Sequence, residues 1–325
     1  MKLPHEFYQL PYVFDTQQMQ QEVKRFDSTD WVPHHEGFKG NFSIPLISVN
    51  GENNNLFKGP MMAAKPLFQS EYIQQILASF GEVFGRSRLM GLAPGCEVPL
   101  HSDINYHWYK RVRIHIPIVT DEKVVFHCGD KQVHMKAGEC WIFNSWKYHK
   151  VVNHSDVFRV HLVVDTAGSS AFWERLNMAK IPWVKQSMQQ FEPKKIPYQP
   201  GESSKILTES FNVPLVMSPG EMDGLVADLL QEINQVEGNE FVYIEEMTRK
   251  VQMLCADWRK LWSLYGMQEA GWRHYHELRV KAFESVRHLD NKLKLTNGTQ
   301  APRMLLHCII DSALNVEVKN SFNHC

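Results

Sequence analysis

Between residues 86 and 173 the chain breaks into short apolar or alternating runs parted by glycine, proline and asparagine, a cadence that few folds accommodate. Residues 111–118, 124–128, 132–135, 139–143 and 157–165 have the length and β-branched content of strands rather than of helices. Gly129-Asp130, between two of them, reads as a two-residue hairpin turn, because glycine accepts the positive φ that such turns need. Many short strands at this spacing predict a double-sheet jelly roll.

Set into that stretch are His101-Ser102-Asp103, then His149 and, ten residues on, Arg159. In an extended segment residues i and i+2 share a side, so His101 and Asp103 can converge on one ion while Ser102 turns away. With His149 from a later strand, two imidazoles and one carboxylate occupy one face of a metal and leave the other open, the arrangement of non-haem iron oxygenases. A buried strand such as 157–165 tolerates Arg159 only if an anion neutralises it, and the planar guanidinium fork suits a carboxylate. The run 111–118 places Arg111, Arg113 and His115 on one face and Val112, Ile114 and Ile116 on the other, which predicts an anionic ligand there. A lone His-x-Asp is a weak motif, and the order and spacing around it supply its weight. His127 and His134 read as hairpin residues, Glu139 as part of a turn, and His34-His35 as surface.

The run 89–95, His101, Asp103, Arg113-Ile114-His115, Gly138-Glu139-Cys140-Trp141-Ile142-Phe143, His149, Val152-Asn153 and 159–165 together resemble the aspartyl/asparaginyl β-hydroxylase family, a branch of the 2-oxoglutarate and Fe(II)-dependent dioxygenases. The resemblance is strongest over residues 86–173 and does not reach the last third. It implies a double-stranded β-helix, also called a cupin-like barrel. It further implies His101, Asp103 and His149 as metal and catalytic residues, Arg159 on the distal carboxylate of 2-oxoglutarate, and Arg113 and His115 helping to hold that cosubstrate. The implied chemistry uses Fe(II), 2-oxoglutarate and O2 to hydroxylate an unactivated carbon, releasing succinate and CO2. The implied target is the β-carbon of an aspartyl, asparaginyl or related amino-acid unit that is free, peptidyl or carrier-bound. Asp103 stands where the best-known animal members carry glycine, so the ligand set is complete here and a halogenase is disfavoured. The stretch 104–110 is longer than in those members, which leaves substrate choice open. Two other classes remain: a non-catalytic cupin-like binding module, and a zinc-dependent hydrolase using the same three ligands.

A net charge of −1 argues against an electrostatic nucleic-acid binder. No apolar run approaches the roughly 20 residues of a membrane span, and the first residues lack the pattern of a secretory signal, so a cytoplasmic protein is expected. Cys96, Cys128, Cys140, Cys255, Cys308 and Cys325 show no paired spacing, and free thiols are expected.

Four regions are expected: an α/β layer bracing the barrel over 1–85, the catalytic core over 86–177, a proline-rich linker over 178–217, and a helical domain over 218–325. Asp15 caps a helix carrying Met19, Val23 and Phe26, a second helix starts near Ser70, and 42–49 is a strand closed by Asn50-Gly51. Ser218-Pro219-Gly220-Glu221 is a capping box opening a helix with Met222, Leu225, Val226, Leu229, Leu230 and Ile233 on one face. Further helices are expected over 241–266, 268–294 and 302–315, with Trp258, Trp262, Trp272 and Tyr275 in their core, and a homodimer through these helices is one expectation.

Overall fold

The computed structural model describes residues 1–34, 36–189, 191–202 and 204–316, so His35, Ser203 and Cys325 lie outside the described residues. The chain divides into two compact units, residues 1–103 with 110–212, and residues 104–109 with 213–325.

The first unit is built on two sheets. Its strands are β1 (Phe7–Phe14), β2 (Val32–Pro33), β3 (Asn41–Val49), β4 (Met61–Ala63), β5 (Val83–Leu92), β6 (Glu97–His101), β7 (Val112–Val119), β8 (Val124–Cys128), β9 (Lys131–Val133), β10 (Glu139–Phe143), β11 (His149–Asn153), β12 (Arg159–Thr166), β13 (Lys194–Ile196) and β14 (Leu207–Thr208). The larger sheet runs β13-β1-β10-β7-β12-β5-β3-β2, and the smaller runs β6-β11-β8-β9. From β5 to β12 the chain therefore alternates between sheets, with β5, β7, β10 and β12 in one and β6, β8, β9 and β11 in the other. That alternation is the double-stranded β-helix, and it removes most open edges by folding one sheet over the other.

Period-two alternation decides what each face buries. Ile114, Ile116, Ile142, Leu162 and Val164 point outward from the large sheet and pack on helices α1 (Thr16–Val23), α2 (Lys65–Phe68) and α3 (Glu71–Phe80) through Met19, Leu67, Tyr72, Ile76 and Phe80. A second cluster lines the barrel interior, where Phe126, Cys128 and Val151 from the small sheet meet Leu92, Trp141 and Phe143 from the large one. Asp15 caps α1 by accepting from the Gln18 amide, as the sequence predicts, and Phe26 falls beyond that helix. Ser70 makes no side-chain cap for α3; Glu22 of α1 instead accepts from the Tyr72 and Ile73 amides, at 2.6 and 3.0 Å. Asn50 and Gly51 both take positive φ, and the chain turns back there toward β4. The proline-rich stretch contributes β13 and β14, which add in parallel to β1 and β5.

The second unit is helical. A short helix α4 (Tyr106–Lys110) is followed, after α5 (Ser170–Leu176) and α6 (Lys185–Gln189) of the first unit, by α7 (Pro219–Asn234), α8 (Phe241–Tyr265) and α9 (Glu269–Glu284). Ser218 accepts from the Glu221 amide, one half of the expected box; the Glu221 carboxylate instead accepts from the Tyr106 hydroxyl at 2.6 Å. Trp258 and Tyr275 pack with ring centroids 4.6 Å apart, and the Trp258 indole N–H donates to Met217 O. Helix α9 ends ten residues before the expected 294, giving way to a 3-10 turn at Arg287–Leu289 and a positive φ at Asn291. Residues 301–313 are helical, with a π-helical stretch at Leu305–Ile310. Among the described residues, no helix is long and apolar enough to cross a membrane. Among the described residues, Cys96, Cys128, Cys140, Cys255 and Cys308 are free thiols.

Candidate metal centre

Strand register brings the donors together. In the antiparallel β6–β11 pair His149 lies directly opposite His101, and their ring centroids are 4.2 Å apart. Asp103 sits past the end of β6, in a turn fixed by its own amide donating to Ser145 O at 2.9 Å. The expected i, i+2 placement along one strand is thus replaced by a loop that returns the carboxylate to the histidines. Asp103 Oδ1 is 3.9 Å from His101 Nε2, and its Oδ2 is 3.9 Å from His149 Nε2. One donor atom from each of the three residues lies within 4.8 Å of the others.

The protonation states suit a cation. His101 Nδ1 lies 2.7 Å from Pro99 O and His149 Nδ1 2.9 Å from Lys147 O. A carbonyl only accepts, so each Nδ1 is the donor in these contacts, and Nε2 is the ring nitrogen left to face a metal. Burial, outweighing the nearby Asp103 carboxylate, pulls the His149 imidazole down to about 4 and keeps it neutral. Burial works against the Asp103 carboxylate, yet Arg113, His149 and His101 hold it below the ordinary range. Asp103 Oδ2 and His149 Nε2 are both buried without a hydrogen-bond partner. A divalent ion would satisfy both, and the donor chemistry, two imidazoles and one carboxylate with open positions, fits ferrous iron.

Arg159 opens β12 and is buried, with Nε and Nη2 unpartnered and its guanidinium 5.1 Å from the Phe126 ring centroid. Burial drags its pKa down to about 9, so it stays charged at neutral pH. Ring contacts join this end of the barrel to the donors: His149 to Phe143 at 4.8 Å, Phe143 to His115 at 5.2 Å, and His115 to His161 at 6.0 Å. His115 and His161 have both ring nitrogens buried and unpartnered, and burial followed by the Arg159 charge holds each far below the ordinary imidazole value. Four unsatisfied nitrogens beside an unpaired guanidinium make a polar cradle, fitted to an anion such as a keto diacid.

Arg113 reaches both Asp103, with Nη1 3.8 Å from Oδ2, and Asp165, with Nε 3.4 Å from Oδ1. Arg111 does not join it. That guanidinium is held by Glu209, Nε to Oε1 2.6 Å, and the expected trio of basic groups on one face becomes Arg113 and His115 alone. Glu139 accepts from the Lys136 amide and the Trp141 indole, a structural role. Sequence reasoning passed over Arg88 and gave His161 and Asp165 no role; the alternation Arg86-Ser87-Arg88 in a strand-like run was the available signal for the first.

Residues 69–168 match the family model of the Aspartyl/Asparaginyl beta-hydroxylase domain. The chain is 26% identical over 177 residues to L-proline cis-3-hydroxylase 1 of a Streptomyces species, a match covering 51% of this chain and 57% of that relative. Among solved structures, an oxidoreductase of the 2OG-Fe(II) oxygenase family from Burkholderia pseudomallei aligns at 13% identity over 48% of this chain and 80% of that one, with a TM-score of 0.36. A Pseudomonas putida prolyl-4-hydroxylase aligns at 15% identity over 50% and 92%, with a TM-score of 0.34.

Proposed function

We propose that this protein is a 2-oxoglutarate- and Fe(II)-dependent dioxygenase that hydroxylates an unactivated carbon of an amino-acid unit. The observation carrying this is the convergence of His101, Asp103 and His149 on one point inside a barrel that also buries an unpaired guanidinium, Arg159. Iron with 2-oxoglutarate and O2 would supply the oxidising chemistry, with succinate and CO2 as by-products. His101, Asp103 and His149 would hold the ion on one face. Arg159 would pair with the far carboxylate of the keto diacid, and His115 and His161 would fill the polar wall beside it. Arg113, already bridging Asp103 and Asp165, would fix the ligand carboxylate and keep it ionised. Phe126 and Phe143 would exclude water from the reacting carbon.

Two comparisons support an amino-acid substrate: the family match names aspartyl and asparaginyl β-hydroxylation, and the Streptomyces relative's name gives carbon 3 of L-proline. Carbon 3 of proline is its β-carbon, so both describe attack one bond beyond the α-carbon. We therefore assign the β-carbon of an aspartyl, asparaginyl or related unit as the target. The unpaired Arg159 favours this reading over a zinc hydrolase, which has no use for a diacid pocket.

The test is incubation with Fe(II), ascorbate, 2-oxoglutarate and a panel of free amino acids, peptides and carrier-bound residues. Expected are succinate release stimulated by one substrate class and a mass gain of one oxygen atom in that substrate. Equal activity with Zn(II) and no 2-oxoglutarate would sink the assignment.

A further inference from the structure

Residues directly opposite one another in adjacent strands point to the same side of the sheet. Read across β5, β12 and β7, the inner face of the barrel carries Leu92 opposite Arg159, Met90 opposite His161, Arg88 opposite Val163, and then Asp165 opposite Arg113. Val163 also faces His115 on its other flank. Arg88 therefore projects into the barrel on the rung of His115, four residues along β12 from Arg159. At the strand rise this separation is about 13 Å.

Arg88 is 5% exposed, and its Nε and Nη2 have no hydrogen-bond partner. Asp165 and Arg113 are within its electrostatic reach, but that carboxylate is already engaged by Arg113. Arg86, two residues earlier, is within reach of the same group and of Asp103. Arg88 therefore keeps two buried donors, on Nε and Nη2, for which the described residues supply no hydrogen-bond partner. Burying that guanidinium is costly unless an anion enters with the substrate.

We propose that Arg88 receives a free carboxylate of the substrate, holding it on the rung of His115, four residues along β12 from Arg159. This rests on the dioxygenase reading and narrows it: the substrate is a carboxylate anion, and amino-acid units whose acid groups are all masked as amides or thioesters are excluded. Arg159 and Arg88 divide the two acids between them, one for the cosubstrate and one for the substrate, and this keeps 2-oxoglutarate from occupying the substrate position in the opposite sense.

The test uses the full chain loaded with Zn(II) and 2-oxoglutarate, which binds without turning over, and calorimetric titration with two pairs of probes. These are L-proline against L-prolinamide and L-asparagine against L-asparaginamide. At least one acid is expected to bind at least tenfold more tightly than its amide. Arg88→Gln should lose at least tenfold in affinity for that acid, and Arg88→Lys less, while both keep wild-type affinity for 2-oxoglutarate. The proposal is overturned if acid and amide bind alike, if neither acid binds, if R88Q binds the acid like wild type, or if R88Q weakens 2-oxoglutarate equally. Should a variant fail to fold, the acid and amide comparison on wild-type protein decides. Failure of wild-type protein to bind 2-oxoglutarate with metal overturns instead the dioxygenase reading, and this outcome is separate from all of those.

Discussion

His101 and His149 face each other across the β6–β11 ladder with ring centroids 4.2 Å apart, and each is anchored through Nδ1 to the carbonyl two residues before it. The anchors orient both rings with Nε2 free of the backbone, an arrangement that would suit the proposed cation. Asp103 brings a negative charge to both, its carboxylate oxygens 3.9 Å from each Nε2.

Replacing that carboxylate tests the centre most simply. Asp103→Ala should lower affinity for Fe(II) or Co(II) by at least about 100-fold, since losing a ligand costs no less than losing its outer support. Metal content after dialysis and calorimetric titration read this, and circular dichroism should show an unchanged fold.

Arg159→Ala removes the buried fork facing the proposed diacid. A loss of about 2–5 kcal/mol in 2-oxoglutarate binding is expected, as for other truncated buried charge partners. Arg159→Lys should recover part of it, because an ammonium keeps the charge without the bidentate geometry. Metal binding should be unchanged in both.

Glu22 tests how the outer layer is held. It is 1% exposed and satisfies two N-terminal amides of α3 from a neighbouring helix. Glu22→Ala should destabilise the protein by about 1–3 kcal/mol in urea titrations, the range for stranding buried donors. Burial, against the pull of those two amides and of Arg25, raises its pKa in the fold. Its titrating contribution is then fully present below the ordinary value of 4.5 and declines as pH rises through the higher folded value. The stability gap between wild type and variant should accordingly be wider in acid than at neutral pH.

Tyr109 lies in the segment 104–109, which belongs to the helical unit, and its hydroxyl donates to Asp228 of α7. Burial, reinforced by that carboxylate, pushes the phenol well above its usual range. Tyr109→Phe should cost about 1.5–3 kcal/mol, the range for a bond to a charged group, measured as a lower unfolding midpoint of the helical unit. An unchanged midpoint would mean that the Tyr109–Asp228 bond contributes nothing to holding the segment.

Much of this proposed site can be read in the residues themselves. The donor identities, the Arg159 fork in an apolar strand and the alternation of Ile114 and Ile116 with Arg113 and His115 depend on local chemistry and on a period of two, which a sequence carries openly. The capped start of α7 was legible for the same reason, since Ser218 bonds an amide three residues on. The helix expected to run to 294 was not, because its apolar spacing continues past the turn that ends it at Glu284.

By itself, then, the sequence determined which side chains could bind a metal and a diacid, and the strand cadence that would carry them. Tertiary structure alone decided their meeting: the register setting His149 opposite His101, the turn returning Asp103, and the capture of Arg111 by Glu209, 98 residues away. It also decided that Arg88 stays buried without a bond on Nε and Nη2. The physical reason is that pairing across sheets and the neutralisation of buried charge depend on partners distant in the chain, which no local period encodes.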